Sequence, residues 1–239
     1  MINEYKNKIE YRRFMAIQSG VIKLQNVDYR IKSADQTISI VTNINLEIKA
    51  GVTIAITGPS GSGKTSLLHL MAGLELPTAG HIYYDDKDIT LLNEDQRAQL
   101  RSRRIGFIFQ SFQLLPNLTA LENVMLPLEI IDLKDPLEIA RNWLDKVGLY
   151  PRANHYPSQL SGGEQQRVAI ARAFAISPLV LFADEPTGNL DKQTGKIITD
   201  LLFSLNEDHQ TTLVIVTHDE SLAMRCQLHW PLVDGALVC

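Results

Sequence analysis

Residues 58–65 read GPSGSGKT and follow directly on the apolar run VTIAIT (52–57). The octet fits G-x-x-x-x-G-K-S/T, and each fixed position has a physical job. Gly58, Gly61 and Gly63 permit backbone conformations that a side chain would obstruct, so successive N–H groups can wrap phosphate oxygens. Pro59, Ser60 and Ser62 complete the turn, and Ser66 continues it into a helix. Lys64 can reach the outer phosphates, and the Thr65 hydroxyl is a hard oxygen ligand for Mg²⁺. The run before the octet reads as a buried strand, and Thr65 to Ala72 reads as a helix ended by Gly73. Strand, phosphate loop and helix in that order open an α/β core.

The rest of the chain extends this unit. LVLFAD (179–184) and TLVIVT (212–217) are strands, alternating with helices from Ser161 to before Pro178 and from about Asp191 to Asn206. Such alternation implies a parallel sheet. Residues 21–31 and 37–48 are rich in β-branched residues and flank the turn KSADQ (32–36), which predicts an antiparallel layer. Between Leu92 and Pro157 the texture becomes helical, with helix starts at Asn93, Thr119 and Asp135 and one strand, IGFIF (105–109). Thr119 with Glu122 and Asp135 with Glu138 form capping boxes, and Pro136 takes a first helical position. The expected organisation is a tail (1–20), a core (21–92 and 158–239) and a helical insert of about 93–157. A hairpin turning at Asp234–Gly235 ends the core, though Pro231 there suits only an edge or a break.

Chemistry gathers at strand ends, where open α/β sheets bind ligands. Asp184 and Glu185 end one strand: Asp184 is placed for a metal and Glu185 to polarise a water. Gln110 ends IGFIF, and His218 ends TLVIVT. His69, His81, His155, His209 and His229 lack such company and read as structural.

A second anion-binding helix start lies at LSGGEQQRVAIARA (160–173). Ser161 is an N-cap, Glu164 completes a capping box, and Gly162 and Gly163 allow close approach. It carries no lysine.

The totals narrow the partners. Hydrophobic residues make up 45% of the chain and the formal net charge is -4, so there is no global attraction to nucleic acid or anionic lipid. Arg97, Arg101, Arg103 and Arg104 cluster without interleaved aromatics, which favours a solvated helix face or a protein-docking face over a nucleic-acid patch. Cys226 and Cys239 form no C-x-x-C pair, favouring a reducing compartment without a structural metal. No apolar run approaches the ~20 residues needed to cross a bilayer, and no secretory signal is evident. A cytosolic protein is expected, held at any membrane by another subunit. Residues 1–20 read as an interfacial anchor, or as a frayed tail or an extension upstream of a second start at Met15.

Taken together, residues 21–235 resemble the ATP-binding-cassette (ABC) ATPase family. GPSGSGKT resembles its Walker A loop, Gln110 its Q-loop glutamine, LSGGEQ (160–165) its signature, LVLFADE its Walker B strand, NLD (189–191) its D-loop and His218 its switch histidine. Tyr29 lies where the family has an aromatic residue that stacks on adenine. FQSFQLLPNLTALENVMLPL (109–128) and FADEPTGNLD (182–191) are similar to the group of lipoprotein-release, macrolide-efflux, FtsE and YbbA ATPases, and residues 193–219 and 221–226 look closest to the YbbA branch. GKTS stands where GKST is commoner, and Val52 where an acidic residue is common.

The resemblance implies a P-loop NTPase fold: a RecA-like parallel sheet core, an antiparallel β layer and an inserted helical subdomain. It implies hydrolysis of ATP to ADP and phosphate with Mg²⁺. Lys64 would neutralise phosphate charge. Thr65, Asp184 and Gln110 would attend the metal. Glu185 would act as general base, and His218 would hold the γ-phosphate end. Ser161, Gly162, Gly163, Glu164 and Asp191 would meet the nucleotide of a second copy, giving a homodimer with two composite sites. That explains the missing lysine, since the partner chain supplies it. A membrane permease is the implied further partner, on the cytoplasmic face of the inner membrane. Phe112, Leu114, Leu115 and Leu118 are either its docking groove or core packing. The task is then export or extraction of a hydrophobic or lipid-linked substrate, or alternatively mechanical transmission to a membrane partner without cargo. A soluble DNA-repair or translation cassette would carry a coiled-coil insertion or a second cassette, and this sequence has neither.

Overall fold

The computed structural model describes residues 20–33 and 36–238. The readings of residues 1–19, of Ala34 and Asp35 in the KSADQ turn and of Cys239 lie outside the described residues.

Among the described residues the chain forms two sheets. In the first, β1 (Gly20–Ser33) and β2 (Gln36–Lys49) pair antiparallel along their length, and β4 (Ala79–Tyr84) flanks β1 on its other side, followed by β5 (Lys87–Asp88). The second sheet contains β3 (Thr53–Thr57), β6 (Ile105–Phe109), β7 (Val180–Asp184), β8 (Thr212–Val216), β9 (Leu228–Val233) and β10 (Ala236–Leu237), in the order β10-β9-β3-β8-β7-β6. From β6 to β9 its neighbours are parallel, and β10 closes an antiparallel hairpin with β9.

Alternation along the parallel strands divides the core in two. Ala55, Ile108, Leu181, Ala183, Leu213 and Ile215 face a helical layer. That layer comprises α3 (Ala120–Ile130), α4 (Pro136–Lys146), α5 (Gly162–Ala175) and α6 (Lys192–His209). Ile54, Ile56, Val180, Phe182, Val214 and Val216 face α1 (Lys64–Met71) and the antiparallel layer. A sheet covered on both faces needs strands without a polar side, which is why its segments read as unbroken apolar runs.

Asn93 caps α2 (Glu94–Arg104), with Gln96 completing a capping box that the sequence reading did not name. The arginine cluster is largely used within the chain. Arg97 and Arg101 both bind Glu94 and also donate to the carbonyls of Leu92 and Gly73, and Arg104 pairs with Asp85. A short α7 (Glu220–Ala223) follows β8, capped by Asp219.

Three local findings differ from expectation or sharpen it. Asp135 is no capping residue: its backbone is left-handed (φ 57) and its side chain makes no cap hydrogen bond, because a capping side chain needs extended backbone to reach back. Pro136 does start that helix. Strand β6, inside the 93–157 segment, is the edge strand of the parallel sheet. Pro231 sits within β9, opposite Thr57, the last pair between β9 and β3. Its carbonyl accepts from Val238 at 2.9 Å, so the missing N–H falls on the β10 side, just past the short β9–β10 ladder, and takes no bond from β3.

Candidate active site

The Gly58–Thr65 loop turns at the carboxyl end of β3. Gly58, Gly61 and Gly63 all have positive φ (148°, 80° and 97°). A Cβ on Gly58 would run into the carbonyl oxygen of Leu232 in β9, and one on Gly63 into that of Ile40 in β2. The loop is therefore wedged between the antiparallel layer and the last hairpin. Gly235, in the β9–β10 turn, ties the two together: its N–H donates to the Ser62 carbonyl at 3.2 Å and its carbonyl accepts from Thr42 at 2.8 Å. Pro59, Ser60 and Gly61 are exposed at the rim. Lys64 Nζ donates to the carbonyls of Gly58 and Pro59, both at 2.9 Å, which holds the ammonium over the loop. Leu67 is the first residue here whose N–H turns back into the helix, to Gly63 at 2.8 Å. The amides of Lys64, Thr65 and Ser66 belong to the unpaired donors of a helix start, where an anion is favoured. The Ser62 hydroxyl is buried without a hydrogen-bond partner among the described residues.

Strands β6, β7 and β8 end beside this loop. Phe109, Asp184 and Val216 are register partners, so the residues following them emerge side by side. The Thr65 hydroxyl donates to Asp184, 3.1 Å from Oδ2 and 3.3 Å from Oδ1. Burial raises the Asp184 pKa, and the Thr65 hydrogen bond opposes the shift. Glu185 leaves the strand with left-handed backbone (φ 46), an uncommon conformation for a residue with a side chain and a form of strain that collects at functional sites. Its Oε1 lies 2.8 Å from Nδ1 of His218, and its Oε2 accepts from Thr217 at 3.4 Å. The His218 side chain is 73% exposed and that of Glu185 18%. Gln110, at the end of β6, is hydrogen-bonded to Asn189. A cavity of about 430 Å³ opens beside Gly58 and His218, with Met224 and His229 on its wall.

Ser161 to Glu164 form the start of α5, with the expected capping box: Glu164 N–H donates to Ser161 Oγ at 3.3 Å, and Ser161 N–H to Glu164 Oε2 at 2.8 Å. That hydrogen bond lowers the Glu164 pKa. Ser161 Oγ accepts in the cap, and its hydroxyl also helps to lower the Glu164 pKa. Cβ atoms built on Gly162 and Gly163 would meet Leu190, Phe112 and Thr194. These neighbours lie in the segments after β6 and β7, not in the Gly58–Thr65 loop, so within one chain the two cradles are separate features.

Two further expected site residues have partners within the chain. Asp191 caps α6, accepting from the N–H groups of Gln193 and Thr194 at 3.0 Å each, and these bonds, Thr194's first, lower its pKa. Tyr29 packs against the sheet-side core, and contact with the Glu75 carboxylate raises its phenol pKa. Glu75 follows the end of α1 remote from Lys64. Of the four residues considered for a docking groove, Leu114 packs against the helical core, whereas Leu115 is 45% exposed.

Several residues at the site carried no motif signal. Buried Gln166 donates to the Pro186 carbonyl at 2.6 Å and braces the turn that starts at Glu185. Arg172 donates to the carbonyls of Phe112 and Gln113, at 2.9 and 2.5 Å, tying α5 to the segment after Gln110. Burial lowers the Arg172 pKa to about 10, so it stays charged at neutral pH. An arginine inside the apolar run AIARAFA was the available clue.

These groups fit a nucleotide and a hard divalent cation. The loop directs amides and an ammonium inward, and the adjoining hydroxyl, carboxylate and carboxamide are the oxygen ligands Mg²⁺ takes.

Residues 41–188 match the ABC transporter family. The chain is 48% identical over 220 residues to the uncharacterized ABC transporter ATP-binding protein YbbA of Escherichia coli (strain K12), covering 91% of this chain and 96% of that protein. It is 49% identical over 203 residues to the lipoprotein-releasing system ATP-binding protein LolD of Legionella pneumophila (strain Lens), covering 84% and 89%. Its fold superposes on the ATP-binding cassette MJ0796, in a dimeric post-hydrolysis state bound to ADP and Pi, with a TM-score of 0.84 at 42% identity, covering 91% of this chain and 97% of that one. A phosphate loop on β3, carboxylates ending β7, a histidine ending β8 and an LSGGEQ helix start thus stand in a chain closely similar to known cassettes, and the chain belongs to the ABC transporter family as an ATP-binding subunit that hydrolyses ATP.

Proposed function

We propose that the chain drives a membrane permease, as a homodimer that closes on two ATP molecules at the cytoplasmic face of the inner membrane. The observation carrying the chemistry is the convergence of Lys64, Thr65–Asp184 and Glu185–His218 at the ends of β3, β7 and β8. Lys64 and the loop amides bind the phosphates. Thr65 and Asp184, with Gln110, would hold Mg²⁺, which neutralises phosphate charge when bound. Glu185 takes the proton of the attacking water, and His218 orients that carboxylate and meets the γ-phosphate end. Such catalysis is mostly positioning and charge stabilisation.

The separation of the two cradles supports the dimer. Ser161 and Gly163 stand at the unpaired N–H groups of the α5 start, which favour an anion, and this suits them to the γ-phosphate held by Lys64 of a second copy. Turnover per subunit then falls as the protein is diluted to monomers; a demonstrated monomer with undiminished turnover overturns the reading. The similarity to LolD, named for a lipoprotein-releasing system, supports extraction or export of a hydrophobic or lipid-linked substrate. Flux in vesicles containing the co-purified permease tests transport, and ATP-driven motion without flux would favour mechanical transmission.

A further inference from the structure

The two ends of a glutamine carboxamide are alike in shape, so its neighbours decide which end points where. At Gln110 the decision runs through Asn189. Asn189 Nδ2 lies 2.9 Å from the backbone carbonyl oxygen of Gln110. A carbonyl only accepts, so the end of Asn189 facing it must be the NH₂. That turns Asn189 Oδ1, which only accepts, toward the Gln110 side chain, 3.2 Å from Nε2. Only the NH₂ end of Gln110 can meet it. Gln110 Oε1 is left over, and among the described residues no hydrogen bond occupies it.

The turn under this pair is tied to its surroundings by hydrogen bonds. A Cβ at Gly188 would come within 2.9 Å of Gln110 Nε2, so the carboxamide lies directly on the Gly188–Asn189 turn. Gly188 N–H bonds the Glu185 carbonyl at 3.0 Å, and Gln166 holds Pro186. The turn that fixes Gln110 thus begins with Glu185.

We propose that Asn189 is a positioning residue: it sets the flip of the Gln110 carboxamide so that oxygen, not NH₂, is offered to the metal. A flipped amide would present hydrogens bearing partial positive charge to a cation. This rests on the reading of Gln110 as a metal contact. The test is Mn²⁺ binding to the full chain with a non-hydrolysable ATP analogue, read by electron paramagnetic resonance. Gln110→Ala weakens Mn²⁺ binding. Asn189→Ala weakens it by roughly tenfold, the lower end of what partners of metal-binding groups supply. The double variant is no weaker than Gln110→Ala. If Gln110→Ala weakens Mn²⁺ and Asn189→Ala does not, or if the two losses add, the inference fails while the reading of Gln110 stands. If Gln110→Ala changes nothing, that reading falls and the inference with it. Should Asn189→Ala fail to fold, Asn189→Leu fills the space without either polar end and is read the same way.

Discussion

His218 Nδ1 and Glu185 Oε1 lie 2.8 Å apart, each just beyond the end of one of two neighbouring strands. The contact aims a carboxylate whose backbone is already turned out of the strand by its left-handed conformation. As general base, Glu185 is worth about 10²–10⁴-fold in rate. Glu185→Gln keeps the side-chain shape but cannot take a proton. Phosphate release falls by about that factor, while ATP binding persists and the ATP-bound dimer outlives its wild-type counterpart in size-exclusion chromatography. Near wild-type turnover would remove Glu185 from the role.

Lys64 is held over the loop by the Gly58 and Pro59 carbonyls. Lys64→Ala leaves the fold and removes the ammonium. Nucleotide affinity or turnover drops by at least tenfold in a fluorescent-nucleotide titration or phosphate assay, the effect of losing about 1.4 kcal/mol.

Asp184 carries a pH signature. Burial raises its folded-state pKa above that of an exposed aspartate. Ionisation therefore costs folding free energy. The cost is nil below the unfolded pKa, grows as pH rises toward the raised folded value, and is complete above it. Asp184→Asn then melts higher than the wild type at neutral pH, and the gain disappears in acid, where both side chains are neutral. The same variant loses Mg²⁺-dependent turnover. A melting point lowered at neutral pH would contradict the assignment.

Gly163 separates packing from chemistry. An added Cβ would come within 2.6 Å of Thr194 Cγ2. Gly163→Ala gains about 1 kcal/mol of helix propensity but displaces the start of α6, and the melting temperature falls. Thr194→Ser removes the obstructing methyl and restores it. Turnover recovers with it in the double variant, because the added Cβ points at Thr194 of the same chain and leaves the N–H groups at the start of α5 unobstructed. Turnover that stays low once the melting temperature is restored would give Gly163 a role beyond packing within the chain.

Gly235 has φ 77, and a Cβ there would lie 2.5 Å from the Ile40 carbonyl oxygen. Gly235→Ala destabilises the fold by about 1–3 kcal/mol. Because the turn also braces Ser62, nucleotide binding weakens as well, measured at a temperature where the variant remains folded.

Local chemistry was readable from the chain. The phosphate loop is contiguous, and the Thr119–Glu122 and Ser161–Glu164 boxes need only three-residue reach, so pattern and structure agree there. Asp135 shares that spacing and fails, because side-chain type says nothing of a left-handed backbone. What stayed hidden depends on residues far apart in sequence. No pattern near residue 58 announces the Leu232 carbonyl, and none near residue 110 announces Asn189. Arg172 was visible only as a charge in an apolar run, and its two carbonyl partners follow from the packing of α5. Half-buried Tyr29 likewise meets Glu75, a partner that no pattern near residue 29 announces.

The wedge around the Gly58–Thr65 loop also bears on the order in which the molecule is made. Its walls are Ile40, reached early in synthesis, and Leu232 with Gly235, reached nearly two hundred residues later. A nascent chain that has just passed His218 already holds the loop, both carboxylates, the LSGGEQ helix and the histidine. It still lacks the strand that closes the loop from the far side. The loop's shape is therefore complete only once residues 232–235 have been made, and a chain truncated before Leu232 keeps the sequence motifs without the wall that shapes the loop.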